Sequence, residues 1–338
     1  MNRRTFFQVL GATPFVGPIL AQPPPPPSAR IRTVRGPIAA ADLGLTLTHE
    51  HVLVDFIGAA EVSPSRYDPE VVFAAARPHL ARAYERGARA LFECTPAFLG
   101  RDARLLRRLS EATGLHLVTN TGLYGARKNV FLPPYALTES AETLAARWIA
   151  EARDGVDGTG ILPGFVKCGV DPEPTLSSVH AKLVDAAAET HLETGLTVAI
   201  HTGRGPGIEI LERLRRRGVG AEAFIWVHAQ NASDDHLATA AERGAWLGFD
   251  GLNAPTLTRH LHLCVEMKRR GLLHRVLVSH DAGWFDPAKP NGGTFRPYET
   301  LFTEFIPLLR AKDFSEPEIT QLLTVNPAAA YTVKVRRS

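Results

Sequence analysis

The sequence predicts an α/β fold, a (β/α)8 TIM barrel, on three observations. The chain has 338 residues, enough for one barrel of this kind, which typically needs roughly 250. From Leu45 onward, short apolar or β-branched runs alternate with helical segments, and strands alternating with helices pair in parallel. Eight such runs occur, at 45–55, 88–95, 115–122, 164–169, 197–202, 224–229, 246–250 and 276–280, and eight units favour closure. The other topology is an open doubly wound sheet. No phosphate-binding glycine fingerprint follows the first run, which weighs against it.

The residues before the first run do not read as fold. Arg3-Arg4, followed by an apolar stretch from Val9 to Ala21 broken by Pro14 and Pro18, is a twin-arginine export pattern, too short and broken to span a bilayer. Residues 1–22 are assigned to this signal, 23–33 to a stiff proline-rich linker and 34–338 to the barrel; the alternative for the start is a disordered basic segment. The expected location is periplasmic or secreted, with no stable membrane anchor. Cys94, Cys168 and Cys264 are an odd, scattered set, not a disulfide framework. A net charge of +3 without a basic, aromatic-laced stripe argues against nucleic acid.

Between the strands, Asp68-Pro69-Glu70 caps the first helix, and Pro78 is expected to kink it. Further helices are expected over 140–153, 177–193, 208–217, 234–243 and 256–270. A loop from Trp284 to Tyr298, rich in glycine and proline, follows the last strand and is long enough to be functional. A helix over 304–310 and a cap over 316–331 would close the barrel base or side.

In such a barrel the reactive groups sit at the C-terminal ends of the strands. The first run carries His49-Glu50-His51. Residues two apart share a face of a strand, so the two imidazoles point inward together and Glu50 points outward. Lys167, His201, His228 and Asp281 close later runs. Each alone is a weak signal, since a strand-end histidine is usually a satisfied core residue. The ordered set is strong, because burying these groups without a purpose would cost several kcal/mol apiece. It reads as a metal site. His260 and His262 share the spacing but fall on a helix, where residues two apart do not face each other, and they read as structural or surface residues.

A lysine among metal ligands needs an explanation, because an ammonium repels cations. Its neutral amine can add carbon dioxide to give a carbamate, in effect a carboxylate on a long stem. The alternatives for Lys167 are a substrate-binding cation and a Schiff-base nucleophile.

His49-x-His51, Lys167, His201, His228 and Asp281, with Phe165-Val166-Lys167, Ser279-His280-Asp281, Phe305-Ile306-Pro307-Leu308-Leu309 and Asn326-Pro327, resemble the phosphotriesterase family of the amidohydrolase superfamily, which includes the phosphotriesterase-like lactonases. The resemblance runs from about Val34 to Thr332. It implies two divalent metal ions bridged by carbamylated Lys167 and a hydroxide. His49, His51 and Asp281 would hold the buried ion, and His201 and His228 the more exposed one. Zn2+ suits imidazole and carboxylate ligands, with Mn2+, Co2+ and Fe2+ as alternatives. Asp281 would also accept the nucleophile's proton. Tyr124 matches the lactonase tyrosine and would orient hydroxide or substrate, unless it is a packing residue of the barrel rim. Trp284 and the Gly292-Gly293 loop would shape the pocket.

The sequence departs from the phosphotriesterases at Asn231, where they carry an acidic residue, and from the lactonases at Gly251, where they carry an arginine. The expected function is therefore metal-dependent hydrolysis of a small-molecule ester, a lactone or carboxylic ester first and a phosphotriester as the alternative. A metal-containing binding protein without turnover is the reading from another class. A homodimer stays open.

The export reading is directly testable. Replacing Arg3 and Arg4 together by lysine should leave precursor in the cytoplasm, because the pathway reads the arginine pair as an address. Cell fractionation measures this, and an unchanged periplasmic yield would refute it.

Overall fold

The computed structural model describes Pro26 and residues 28–338. The twin-arginine segment lies outside the described residues, as do residues 23–25 and 27 of the linker. Arg30–Thr33 (β1), assigned to the linker by sequence, is part of the fold: it pairs antiparallel with Gly36–Ala39 (β2).

Two parallel arcs follow. The first contains Thr46–Glu50 (β3), Ala90–Glu93 (β4) and His116–Val118 (β5). The second contains Asn120–Thr121 (β6), Phe165–Gly169 (β7), Thr197–His201 (β8), Phe224–Val227 (β9), Trp246–Phe249 (β10) and Val276–Val278 (β11). β5 and β6 are one barrel strand interrupted at Thr119. Asn120 bridges the gap between the arcs, its Nδ2 donating to the carbonyls of Glu93 (3.0 Å) and Thr95 (3.1 Å).

The ring closes between the last strand and the first. Asp281 N donates to His49 O at 3.0 Å and His51 N to Ala282 O at 2.9 Å. Phe285 N donates to Val52 O and Val54 N to Phe285 O, both at 2.9 Å. Beyond Glu50 and Val278 these bonds are too irregular for a strand. This is why the regular strands are shorter than the runs 45–55 and 276–280.

Helices pack outside: Pro69–Glu85 (α1), Ala103–Thr113 (α2), Pro134–Thr138 (α3), Ala141–Asp154 (α4), Ser178–Thr194 (α5), Gly207–Arg216 (α6), Asp234–Glu242 (α7) and Leu257–Arg269 (α8). Side chains of Asp68, Asp102, Ser140, Ser177 and Ser233 cap five of them by accepting first-turn amides, each worth about 1 kcal/mol. α2 was not expected from the sequence, although Asp102 starts it and left-handed Gly114 (φ 81°) stops it. α1 continues through Pro78 without a break. Pro78 and Ala74, whose carbonyl loses its partner, both lie on the exposed face, where the carbonyl is open to solvent.

The C-terminal helices are Ile306–Arg310 (α9), Glu316–Thr320 (α10) and Asn326–Tyr331 (α11). A π-helical turn at Leu301–Phe305 precedes α9, so this helix starts earlier than expected. Tyr331 reaches the barrel interior, stacking on Phe92 at 3.8 Å and donating to Thr48 O at 3.1 Å. Together with Ile31 and Leu43 it makes an apolar plug beneath Phe165, Ile225 and Val227. The larger apolar layer lies between strands and helices.

Glu50, read from the sequence only as pointing outward, is fully buried in the closing seam. Its Oε1 accepts from Ser279 Oγ (2.8 Å), His280 N (3.0 Å) and His280 Nδ1 (2.7 Å), and its Oε2 from Ala282 N (2.8 Å). The β3–β4 register shifts between Leu47 and Glu50, and such irregularities re-aim side chains. Glu50→Gln places an amide against these donors. It should lower the unfolding free energy by about 3 kcal/mol, as expected for a broken buried charged network. The urea midpoint measures this, and an unchanged midpoint would remove Glu50 as the closing element.

Candidate metal centre and its pocket

The six sequence-predicted ligands converge at the C-terminal mouth of the barrel. His49 and His51 end the first strand, and their ring centroids are 5.3 Å apart. Lys167 lies inside β7, 1% exposed, one inward step above Phe165. His201 is the last residue of β8, and His228 follows β9. Asp281 follows β11. His228 (φ 61°) and Asp281 (φ 53°) both adopt the left-handed conformation, as does Trp284 (φ 77°). Each costs about 1–3 kcal/mol, and such residues cluster at functional sites.

The ligand atoms of His49, His51 and Asp281 all lie within 4.8 Å of one another. Asp281 Oδ1 is 3.2 Å from His51 Nε2 and 3.8 Å from His49 Nε2. Lys167 Nζ is 3.3 Å from His49 Nε2. His228 joins from the other side, its ring 4.5 Å from that of His201 and 5.1 Å from that of His49. Asp281 Oδ1 is buried with no hydrogen bond. A buried, unpartnered carboxylate oxygen between imidazole nitrogens fits a divalent cation.

The electrostatics prepare these groups to ligate. Burial, then the Lys167 ammonium, drives His49 well below the usual histidine range. Burial, then His228 and Lys167, does the same to His201, and burial lowers His228. Neutral imidazoles are the ligating form. Burial pushes the Asp281 carboxyl up, but His49, His51 and His228 outweigh it and hold it at about 2.

Behind the ligands stand carboxylates that sequence reasoning missed. Glu93 Oε1 accepts from Thr95 Oγ1 at 2.5 Å, and Thr95 Oγ1 contacts His51 Nδ1 at 2.8 Å. The hydroxyl proton is spent on Glu93, so Thr95 accepts from His51 Nδ1–H, and Nε2 keeps its lone pair for a metal. Asp250 Oδ2 accepts from His228 N at 3.0 Å and lies 3.1 Å from His49 Nδ1, off the hydrogen-bond line. With His49 and His228 it forms a second grouping that could hold an ion. Its place at the end of the seventh run was the available signal. His280 donates from Nδ1 to Glu50 and accepts Leu301 N at Nε2 (3.0 Å), so it is a structural histidine.

Tyr124 lies flat on Gly169, where a Cβ would come 2.4 Å from its ring, and its ring is 5.1 Å from that of His201. Burial raises its hydroxyl, which lies within electrostatic reach of Asp281 and Arg127. Trp284 is 5.2 Å from the His51 ring and donates from Nε1 to Asp281 O at 3.0 Å. With Gly292, Gly293 and Arg296 it lines a cavity of about 500 Å³.

His260 is buried and bonded to Thr256 O and Asp250 O, both at 3.0 Å, while His262 lies on the surface near Asp234. A larger flank cleft, about 760 Å³, contains none of the ligands. Its central Arg101 is committed to Glu151, Asp157 and Asn120 O. We therefore place the chemistry at the mouth, where the ligating groups converge.

The model of the phosphotriesterase family matches residues 29–331. A phosphotriesterase homology protein of Escherichia coli is 29% identical, covering 84% of this chain and 97% of the relative. An aryldialkylphosphatase of Saccharolobus solfataricus is 28% identical over 86% and 95%. An N-acetyltaurine hydrolase of Rattus norvegicus is 28% identical over 91% and 99%.

The Glu93–Thr95–His51 chain predicts a measurable coupling. Thr95→Val should weaken divalent-metal retention about 10- to 100-fold, the usual cost of a lost outer partner, and Thr95→Ser should restore it. Metal content after dialysis against a graded chelator reads this. Equal retention in the valine variant would break the chain.

Proposed function

Because the chain belongs to the phosphotriesterase family of metal-dependent hydrolases, we propose that it hydrolyses a small-molecule ester, a lactone or carboxylic ester, with two divalent ions, as an exported enzyme. The observation that carries this reading is the convergence of His49, His51 and Asp281 within 4.8 Å, with Lys167 Nζ 3.3 Å from His49. His49, His51 and Asp281 would hold one Zn2+, His201 and His228 the other, and carbamylated Lys167 would lie between them. The ions would supply an activated water and a Lewis acid for the substrate oxygen.

The protein's own groups do the rest. The low-lying Asp281 carboxylate is unprotonated at neutral pH and free to accept a proton from the attacking water. The water oxygen bonds to the acyl carbon, the carbon–alkoxy bond breaks, and the proton passes to the departing alkoxide. Tyr124, held against Gly169, presents its hydroxyl beside His201 to orient the acyl group. Trp284, pinned through Nε1 to Asp281 O, walls the pocket on the His51 side. A phosphotriester substrate is the second reading, supported by the aryldialkylphosphatase relative. The N-acetyltaurine hydrolase relative adds acyl amides to the substrates to be tried.

Purified protein should carry close to two divalent ions per chain, and the His49→Ala, His51→Ala double variant at least one fewer. Lactones, aryl esters, acyl amides and phosphotriesters should be screened with metal-loaded protein, and turnover should be fastest on a lactone or ester. Lys167→Ala should lose at least about a hundredfold in kcat/KM, and added short carboxylic acids should restore part of it by taking the carbamate's place. Full activity without metal would overturn the mechanism. A borohydride-trapped adduct at Lys167 would convert it to a Schiff-base lysine.

A further inference from the structure

Aromatic side chains form a ring outward from the metal ligands. One arc runs from His51 to Trp284 (centroids 5.2 Å) and on to Phe56 (5.3 Å). The other runs from His201 to Tyr124 (5.1 Å) and on to Phe131 (5.9 Å). The arcs meet where Phe56 and Phe131 lie 6.0 Å apart. Over that junction sits Arg127, its guanidinium carbon 5.3 Å from the Phe56 centroid and 5.6 Å from that of Phe131. No hydrogen bond or ion pair holds this guanidinium among the described residues. Arg296, by contrast, covers Trp284 but is spent on Asp281 O at 2.7 Å.

The backbone beneath Arg127 is held in a costly shape. Arg127, Lys128 and Asn129 have φ of 62°, 60° and 64°, three successive left-handed residues without a glycine. Asp171 Oδ1 accepts both Arg127 N (2.6 Å) and Lys128 N (3.2 Å). Asn129 N donates to Gly125 O at 3.0 Å, and the Asn129 side chain meets His180 Nε2 at 3.0 Å. Strain of this kind persists where the surroundings over-determine it, and it clusters at ligand clamps. Asp171 is a positioning residue for Arg127.

We infer that Arg127 receives an anionic group of the substrate, so that the preferred substrates are acyl compounds bearing a carboxylate, sulfonate or phosphate remote from the scissile bond. The inference rests on the hydrolase reading above and names its substrate class. A guanidinium lying over two ring faces keeps its planar fork free for an oxyanion. Phe56, Tyr124 and Trp284, each partly exposed, offer apolar contact to a short carbon chain between Arg127 and the ligands. Two aromatic rings stand between the guanidinium and either His51 or His201, which sets the distance between the anion and the reacting carbonyl.

With metal-loaded enzyme, kcat/KM for nitrophenyl hemisuccinate should exceed that for nitrophenyl butyrate by about tenfold or more, mainly through KM. Arg127→Gln should bring this ratio to about 1, and Arg127→Lys should keep part of it. The ratio should fall as salt is added, because an exposed charge pair is screened. Calorimetric titration with butanesulfonate, a poor metal ligand, should show binding that Arg127→Gln abolishes and Asp171→Ala weakens. A wild-type ratio near 1, or a ratio unchanged in Arg127→Gln, would overturn the anion receptor and leave the hydrolase reading standing. Turnover of neither ester would count against ester hydrolysis. The sulfonate titration would then decide the receptor alone: Arg127-dependent binding supports it, and absent or Arg127-independent binding overturns it.

Discussion

Glu50 collects four hydrogen bonds from Ser279, His280 and Ala282 across the seam where the last barrel strand returns to the first. Three of the candidate ligands are one residue away from this network: His49 and His51 flank Glu50, and Asp281 lies between His280 and Ala282. Ser279 Oγ, while donating to Glu50, accepts His49 N at 3.0 Å. The bond pattern that closes the barrel is therefore the one that fixes the ligand spacing. The left-handed backbone of Asp281 is affordable only because both neighbours are tied to a carboxylate that cannot leave the interior.

The same arrangement recurs around the centre. A carboxylate stands behind His51 through Thr95, another beside His49 and His228, and a third behind His280. The mouth is thus a shell of imidazoles backed by Glu93, Asp250 and Glu50, above an apolar floor of Phe92, Phe165 and Tyr331. An apolar floor below and fixed carboxyl acceptors behind hold the ring nitrogens in one orientation before any cation arrives.

Much of this was legible in the sequence. Alternating runs located all eight barrel strands, and ligand-type residues closing those runs located His49, His51, Lys167, His201, His228 and Asp281, because strand order alone brings such ends together. Glu50, Glu93 and Asp250 were not legible as functional. Their roles depend on a register shift in β3 and on contacts between elements far apart in the chain, Glu50 with Ser279 for example, which period-two reasoning along one strand does not see. The β1–β2 hairpin was hidden by the proline-rich segment before it. Helix α2 had a capping Asp102 and a terminal Gly114, yet its arginine-rich face masked the apolar stripe of Leu105, Leu106 and Leu109.

The hairpin and the chain's last residues sit together at the opposite end of the barrel. Val34 N bonds Leu117 O and Val333 N bonds Arg30 O, while Lys334 N reaches Gly195 O beside the start of β8. Both ends of the described chain thus leave from the floor, with the full depth of the barrel between them and the ligands. Such a molecule can be held from beneath. A support, fusion partner or surface tether joined at either end would leave the mouth turned toward solution, where substrate arrives.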